Sequence, residues 1–212
     1  MGGRAGGGAG FGSRAGGGLQ RTLASVESSI RHLPYENSAI IDEKGNIIEQ
    51  VSGERGRVGY DGIRAENNYV THNHPGEDSA SLSRKDIMNA IESNVKEVRA
   101  VTGRYTYSMK PSGKGWGVTQ YEIKGSEKFN FGKTVHTYGH KPGSKNPDAS
   151  FRKIQDAYRI ASKNISGRLD KYVANSSNKT TARARANALK WHLINKEFAK
   201  MTGFKYTKTK VK

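Results

Sequence analysis

The sequence predicts an α+β fold that runs into a small basic α-helical C-terminal region. Three observations predict it. Apolar residues recur at helical spacing just after the N-terminal tail, short β-rich runs bounded by turn residues fill the middle, and long helical stripes occupy the last third.

Residues 1–18, MGGRAGGGAGFGSRAGGG, are mostly glycine with two arginines and one phenylalanine, too little apolar surface to offset the entropy of ordering them. They read as a flexible tail. No strand precedes these glycines and no Gly-Lys-Ser/Thr follows, which sets a phosphate-cradling loop aside. Leu23, Val26, Ile30 and Leu33 then recur three and four residues apart and Pro34 closes the pattern, so Leu19 to Leu33 reads as a short amphipathic helix. SAIIDEKGNIIEQV holds two β-rich runs around Glu43-Lys44-Gly45-Asn46 and predicts a hairpin, followed by a polar loop, SGERGRVGYDG.

Asn68 to Thr71 reads as a short strand that delivers its C-terminal end into His72-Asn73-His74-Pro75. Ser83 is placed as the N-cap of a helix over about Arg84 to Asn94, with Ile87, Ala90 and Ile91 on one face. Val95 to Val101 and Tyr105 to Met109 predict two further strands, and GKGWGVTQYEIKG an edge strand. Residues 132–146 are rich in Gly, Lys and turn residues and read as a linker. Beyond Pro147, Phe151, Ile154, Tyr158 and Ile160 begin one helical stripe, broken near Gly167. Ala182, Ala186, Leu189, Leu193, Phe198 and Met201 make a second that stops at Gly203, so a basic helical hairpin is expected. The implied organisation is a tail (1–18), a main domain (19–127), a linker (128–147) and a basic helical region (148–212).

No run of about 18 apolar residues is present and the N-terminus lacks the order of a secretion signal, so a soluble, unprocessed chain is expected. Cysteine is absent, which excludes disulfides, a Cys nucleophile and thiolate metal sites; a metal would have to be held by His, Asp, Glu or water. The net charge of +17 is unevenly spread. Residues 1–127 hold 16 Lys/Arg against 15 Asp/Glu, whereas residues 128–212 hold 20 against 4. A nearly neutral part is thus joined to one that should seek polyanions.

Chemistry concentrates where the third strand ends. Two histidines at i and i+2 on an extended segment project to the same side and can share one ion. Pro75 turns the chain away, and Asp86, in the first turn of the next helix, is placed to return as a third ligand. Two imidazoles, one carboxylate and a fourth position for water make the donor set of a catalytic rather than a structural zinc site.

His72-Asn73-His74-Pro75 followed by Ser83-Arg84-Lys85-Asp86 resembles the signature of the JAMM/JAB/MPN zinc metallopeptidases: H-x-H-P, a spacer, then S-x-x-D, with a glutamate upstream. The HNHPG form is similar to bacterial and phage members more than to eukaryotic deubiquitinases. The resemblance covers roughly residues 20–120, with a spacer of seven residues that is one longer than the commonest pattern. It implies an α/β sandwich with a mixed sheet flanked by helices. It also implies zinc held by His72, His74 and Asp86, and Ser83 hydrogen-bonding the developing oxyanion. The family's general base is a glutamate on the first strand, just after the first helix. Glu36 occupies that place, with Glu49 in the second strand and Glu54 in the loop beyond as competitors.

The other histidines read as ordinary polar residues. His136 and His140 stand at i and i+4, but Gly139 and Pro142 argue for a loop there, and His32 and His192 carry no ligand pattern. In the basic region, Arg183, Arg185, Lys190, Lys196, Lys205, Lys208, Lys210 and Lys212 can neutralise phosphates, with Tyr158, Tyr172, Trp191 and Tyr206 available for stacking. Nucleic acid through residues 148–212 is the expected partner, against an anionic membrane or an acidic protein.

The expected activity is therefore hydrolysis of an amide bond in a protein or peptide by zinc-activated water, either an isopeptide linkage to a ubiquitin-like protein or a peptide bond during processing of a phage or toxin polypeptide. The rival expectation is a nucleic-acid-binding phage or mobile-element protein in which the JAB-like domain is a scaffold. Either places the protein in the cytoplasm of a prokaryotic or phage-infected cell.

Overall fold

The computed structural model describes residues 18–54, 58–75, 81–113, 115–118, 127–131, 134–138 and 149–211. Helix α1 (Leu19–Ile30) leads into a hairpin of β1 (Asn37–Ile41) and β2 (Ile47–Ser52). A single helical turn, α2 (Gly62–Ala65), precedes β3 (Tyr69–Asn73). The chain then crosses over through α3 (Arg84–Glu92) to β4 (Glu97–Val101) and turns back as β5 (Tyr105–Lys110). A separate two-stranded hairpin of β6 (Glu127–Phe131) and β7 (Thr134–Tyr138) follows. Two long helices, α4 (Ala149–Ala174) and α5 (Lys179–Thr202), and a last strand, β8 (Lys205–Lys210), complete the described elements.

Six strands form one sheet in the order β2-β1-β3-β4-β5-β8. β3 and β4 run parallel and every other neighbouring pair is antiparallel, so the fold is α+β with a mixed sheet. The one parallel pair is the one joined through a helix, as parallel neighbours require.

Strand parity decides what each face carries. On one face Ala39, Ile41 and Val101 meet Leu23, Val26 and Ile30 of α1 in a small core. On the other, Ile40, Val70, Val98, Ala100, Tyr107 and Met109 join the larger core with Ile87 and Ile91 of α3 and residues of α4 and α5. β1 is buried at all five positions because helices cover both sides. Each fully buried Ile or Leu here contributes about 1.5–3 kcal/mol. Asn73, one residue from His72, therefore faces α1, while His72 shares the α3 side with Val70.

Several local signals take the form the sequence gives them. Ser83 is the N-cap of α3, Gly203 ends α5 at a φ of 76°, and Asp42 closes the β1–β2 turn by accepting from the Asn46 N–H at 2.7 Å, with Gly45 at a φ of 89°.

Other expectations differ. α4 runs through Gly167 without a break: a helical glycine costs only about 1 kcal/mol, and Ile165 and Leu169 continue the apolar stripe on either side of it. Segment 148–212, expected to be helical, ends in β8, which pairs with β5 from Tyr105↔Lys210 to Lys110↔Lys205. KYTKTK holds one Tyr and two Thr, residues that favour strands, among three lysines. Within 128–147, expected to be a linker, β6 and β7 pair from Glu127↔Tyr138 to Phe131↔Thr134. α2 starts where the expected polar loop ends, at Gly62, and Asp61 of that loop caps it by accepting from the N–H groups of Ile63 and Arg64. The edge strand expected over 113–125 is not formed at its described residues, 113 and 115–118, which make a turn closed by an isolated Ser112↔Gly115 bridge. The rest of that segment, the Gly-rich tail up to residue 17, His140 and Lys212 lie outside the described residues.

Candidate metal centre

The end of β3 sets the first two donors. His72 pairs with Ser38 of β1 and Ala100 of β4, and His74 extends the parallel ladder by donating its N–H to the Val101 carbonyl at 2.9 Å. Both rings thus leave a hydrogen-bonded backbone on the α3 side of the sheet. Their centroids stand 4.8 Å apart at 61°, with the two Nε2 atoms facing each other at 2.9 Å.

The third donor comes from the first turn of α3, where a capping box fixes it. Ser83 N–H donates to Asp86 Oδ2 at 2.6 Å and Asp86 N–H donates to Ser83 Oγ at 3.2 Å. The same Oδ2 lies 3.5 Å from His72 Nε2 and 3.6 Å from His74 Nε2. His72 is buried, and His74 and Asp86 are partly so.

Three such atoms held this close are joined either by a ring N–H proton or by a metal ion. Burial alone would raise the Asp86 carboxyl. The two histidines outweigh it and hold the carboxyl well below the usual carboxylate range. The spacing suits a metal. A triangle with sides of 2.9, 3.5 and 3.6 Å has its corners about 1.9 Å from a common centre, close to the roughly 2.0–2.2 Å at which zinc sits from imidazole nitrogen and carboxylate oxygen. His72, His74 and Asp86 are the group among the described residues that could hold a metal ion.

Of the three candidate glutamates, Glu36 interacts electrostatically with this group. Glu36 lies just before β1, in a backbone that extends the β1–β2 ladder: its N–H donates to the Glu54 carbonyl at 3.1 Å and its carbonyl accepts from Gly53 at 2.8 Å. Burial pushes its carboxyl up, while His74 and then His72 pull the other way and Asp86 adds to the rise. Glu49 is engaged elsewhere, accepting from the Asp61 N–H at 3.0 Å and lying 3.8 Å from Arg64. Glu54 is exposed.

Two positioning groups carry no motif of their own. Asn73, fully buried, points away from the histidines. Its Oδ1 accepts from the Asn37 N–H at 2.6 Å, and its amide donates to the carbonyls of Tyr35 at 3.0 Å and Leu33 at 3.3 Å. Asn195 of α5, also fully buried, donates to the Leu82 carbonyl at 2.7 Å and Ser81 Oγ at 3.1 Å, anchoring the segment that caps α3. Ser81 also contacts Tyr206 Oη at 2.8 Å, which in turn lies 2.9 Å from His192 Nδ1. A buried asparagine among polar neighbours gives no sequence signal; only the fold brings residues 114 positions apart together.

No protein-family model matches the chain, no curated protein matches it, and no solved structure matches it. Among the described residues no helix is long and apolar enough to cross a membrane.

Proposed function

We propose that the protein is a zinc-dependent hydrolase of amide bonds, working as the resemblance to the JAMM/JAB/MPN metallopeptidases implies. The convergence of His72 Nε2, His74 Nε2 and Asp86 Oδ2 within 3.6 Å of one another carries this reading. These three atoms would hold the ion. Bound zinc supplies Lewis acidity, polarising a scissile carbonyl and lowering the pKa of water toward about 7.

The chain's own residues have separable tasks. Glu36, half-buried and with its proton affinity raised, accepts a proton from the attacking water and hands it to the leaving nitrogen. Ser83 caps α3 through a lone pair of Oγ, a role that does not use its hydroxyl hydrogen, which is left to donate to the developing oxyanion. Asn73 holds the Leu33–Asn37 segment so that Glu36 keeps its place. The substrate is a protein or peptide, cut either at an isopeptide linkage to a ubiquitin-like protein or at a peptide bond during polypeptide processing.

The test is a panel of peptide and isopeptide substrates incubated with zinc-loaded protein, with the chelated protein and with Glu36→Gln. Cleavage by the first alone supports the reading. A zinc-loaded protein that cleaves nothing, or a Glu36→Gln protein that cleaves as fast as the parent, overturns it.

A further inference from the structure

The cationic part of the molecule has a shaped feature of its own, remote in sequence from the metal ligands. Between α4 and the end of α5 with the start of β8 lies an open groove of about 620 Å³, within the range of roughly 300–1,000 Å³ occupied by small-molecule sites. Its floor is apolar and aromatic, from Ile165, Leu193, Phe204 and Tyr206, and its rim carries Arg168, Lys196 and Lys200 against one acid, Glu197.

Helical spacing extends this rim. Arg185, Leu189, Lys196 and Lys200 follow one another at four, seven and four residues and so share one side of α5. All four are exposed, as is Arg168. The charge is largely uncompensated: residues 149–211 hold 15 Lys/Arg and 3 Asp/Glu. Arg168, Arg185, Lys196 and Lys200 make no ion pair among the described residues, whereas Arg159 is paired with Asp156 at 3.3 Å.

We propose that this groove and the adjoining side of α5 bind single-stranded nucleic acid, with an unpaired base laid on the Leu193–Phe204–Tyr206 floor and the flanking phosphates taken by Arg168, Arg185, Lys196 and Lys200. An apolar aromatic floor between cations suits a ligand whose flat uncharged face alternates with anions, which a single strand presents and a duplex hides. A lipid surface suits it less. Contact with a bilayer needs one continuous apolar helix face, but the exposed apolar residues of α5, Leu189, Trp191 and Met201, point in separate directions around the helix, Leu189 and Trp191 on nearly opposite sides.

The experiment is fluorescence anisotropy of a labelled mixed-sequence single-stranded oligonucleotide with the full chain, in chelator so that the metal centre plays no part. The same measurement is made with the duplex and with phosphatidylserine vesicles as competitors. Four neutralised phosphates predict a salt slope near −2.8, so affinity falls roughly 50-fold between 50 and 200 mM salt. The triple variant Arg168→Ala, Lys196→Ala, Lys200→Ala loses most of that slope. A control with the same charge removed elsewhere, Lys163→Ala, Arg183→Ala, Lys190→Ala, retains at least half of it. Circular dichroism of both variants establishes that each is folded. Equal losses in the two triple variants, duplex binding as tight as single-strand binding, or displacement by vesicles at matched charge would each overturn the proposal.

Discussion

The backbone N–H of Asn37 donates to Asn73 Oδ1 at 2.6 Å, so the residue between the two histidines holds the segment that carries Glu36. One strand therefore serves both sides of the sheet: His72 and His74 face α3 and gather the ligand atoms, while Asn73 faces the other way and fixes the carboxylate that would serve them.

Replacing Asn73 by Ala removes the acceptor of the Asn37 N–H and the Asn73 donor to the Leu33 carbonyl, while the Tyr35 carbonyl keeps the Asn37 amide at 2.8 Å. A loss of about 2 kcal/mol in folding stability is expected. Turnover should fall further than metal affinity does. Urea unfolding together with zinc titration checks this, and unchanged stability would show that these bonds are not maintained in solution.

Glu36→Gln removes the proton-accepting oxygen while preserving shape. Zinc affinity should stay within a few-fold of the parent and turnover should drop by about 10²–10⁴-fold. Glu49→Gln and Glu54→Gln should leave turnover nearly unchanged, since Glu49 is tied to Asp61 and Arg64 and Glu54 is exposed. Steady-state rates of the three variants distinguish them.

Glu27, on the buried side of α1, forms ion pairs with Arg99 of β4 and also receives the Thr71 hydroxyl at 3.3 Å. Glu27→Ala leaves the partly buried Arg99 with Glu97 as its remaining ion-pair partner, at 2.7 Å. A stability loss of about 1–3 kcal/mol is expected from the lost charge-assisted hydrogen bonds, read as a shift in the denaturation midpoint at unchanged slope.

His192 predicts an acid-side weakness. Burial first, then Lys208 of β8 and Lys196 of α5, depress its pKa below the ordinary value near 6.5. Tyr107 of β5 and Tyr206 of β8 also pack against the ring. Above about pH 6.5 neither the folded nor the unfolded chain protonates it. As pH falls through that value the unfolded chain takes up a proton that the folded chain resists, so stability declines until the lower folded pKa is passed. His192→Gln should flatten part of the decline in melting temperature between pH 7.5 and 5.5. Parallel curves for parent and variant would remove His192 from the cause.

What the sequence makes legible is what local chemistry dictates. The H-x-H pair on a strand end, the Ser83 cap and the return of Asp86 in the first helical turn follow from period-two strands and capping rules. The amphipathic pattern of α1 is equally plain through Leu23, Val26 and Ile30, yet it does not single out Glu27, which sits on the same buried side and whose partner Arg99 is 72 residues away. β8 is missed for a related reason: its strand identity depends on an open edge of β5 that becomes available only once the sheet exists. The Asn195 link to Ser81 and Leu82 is likewise a product of packing. Polar residues that bond across long sequence separations carry no periodic signal, and these are the residues that brace the candidate centre.

One ion shared by His72, His74 and Asp86 is the premise of all the chemistry above. Titration calorimetry of tag-free, chelator-stripped protein with zinc, alongside His72→Ala, His74→Ala and Asp86→Ala, decides it. One tight site per chain is expected in the parent and none in each variant. A parent that takes up no divalent metal, or variants that bind as the parent does, would rule the site out.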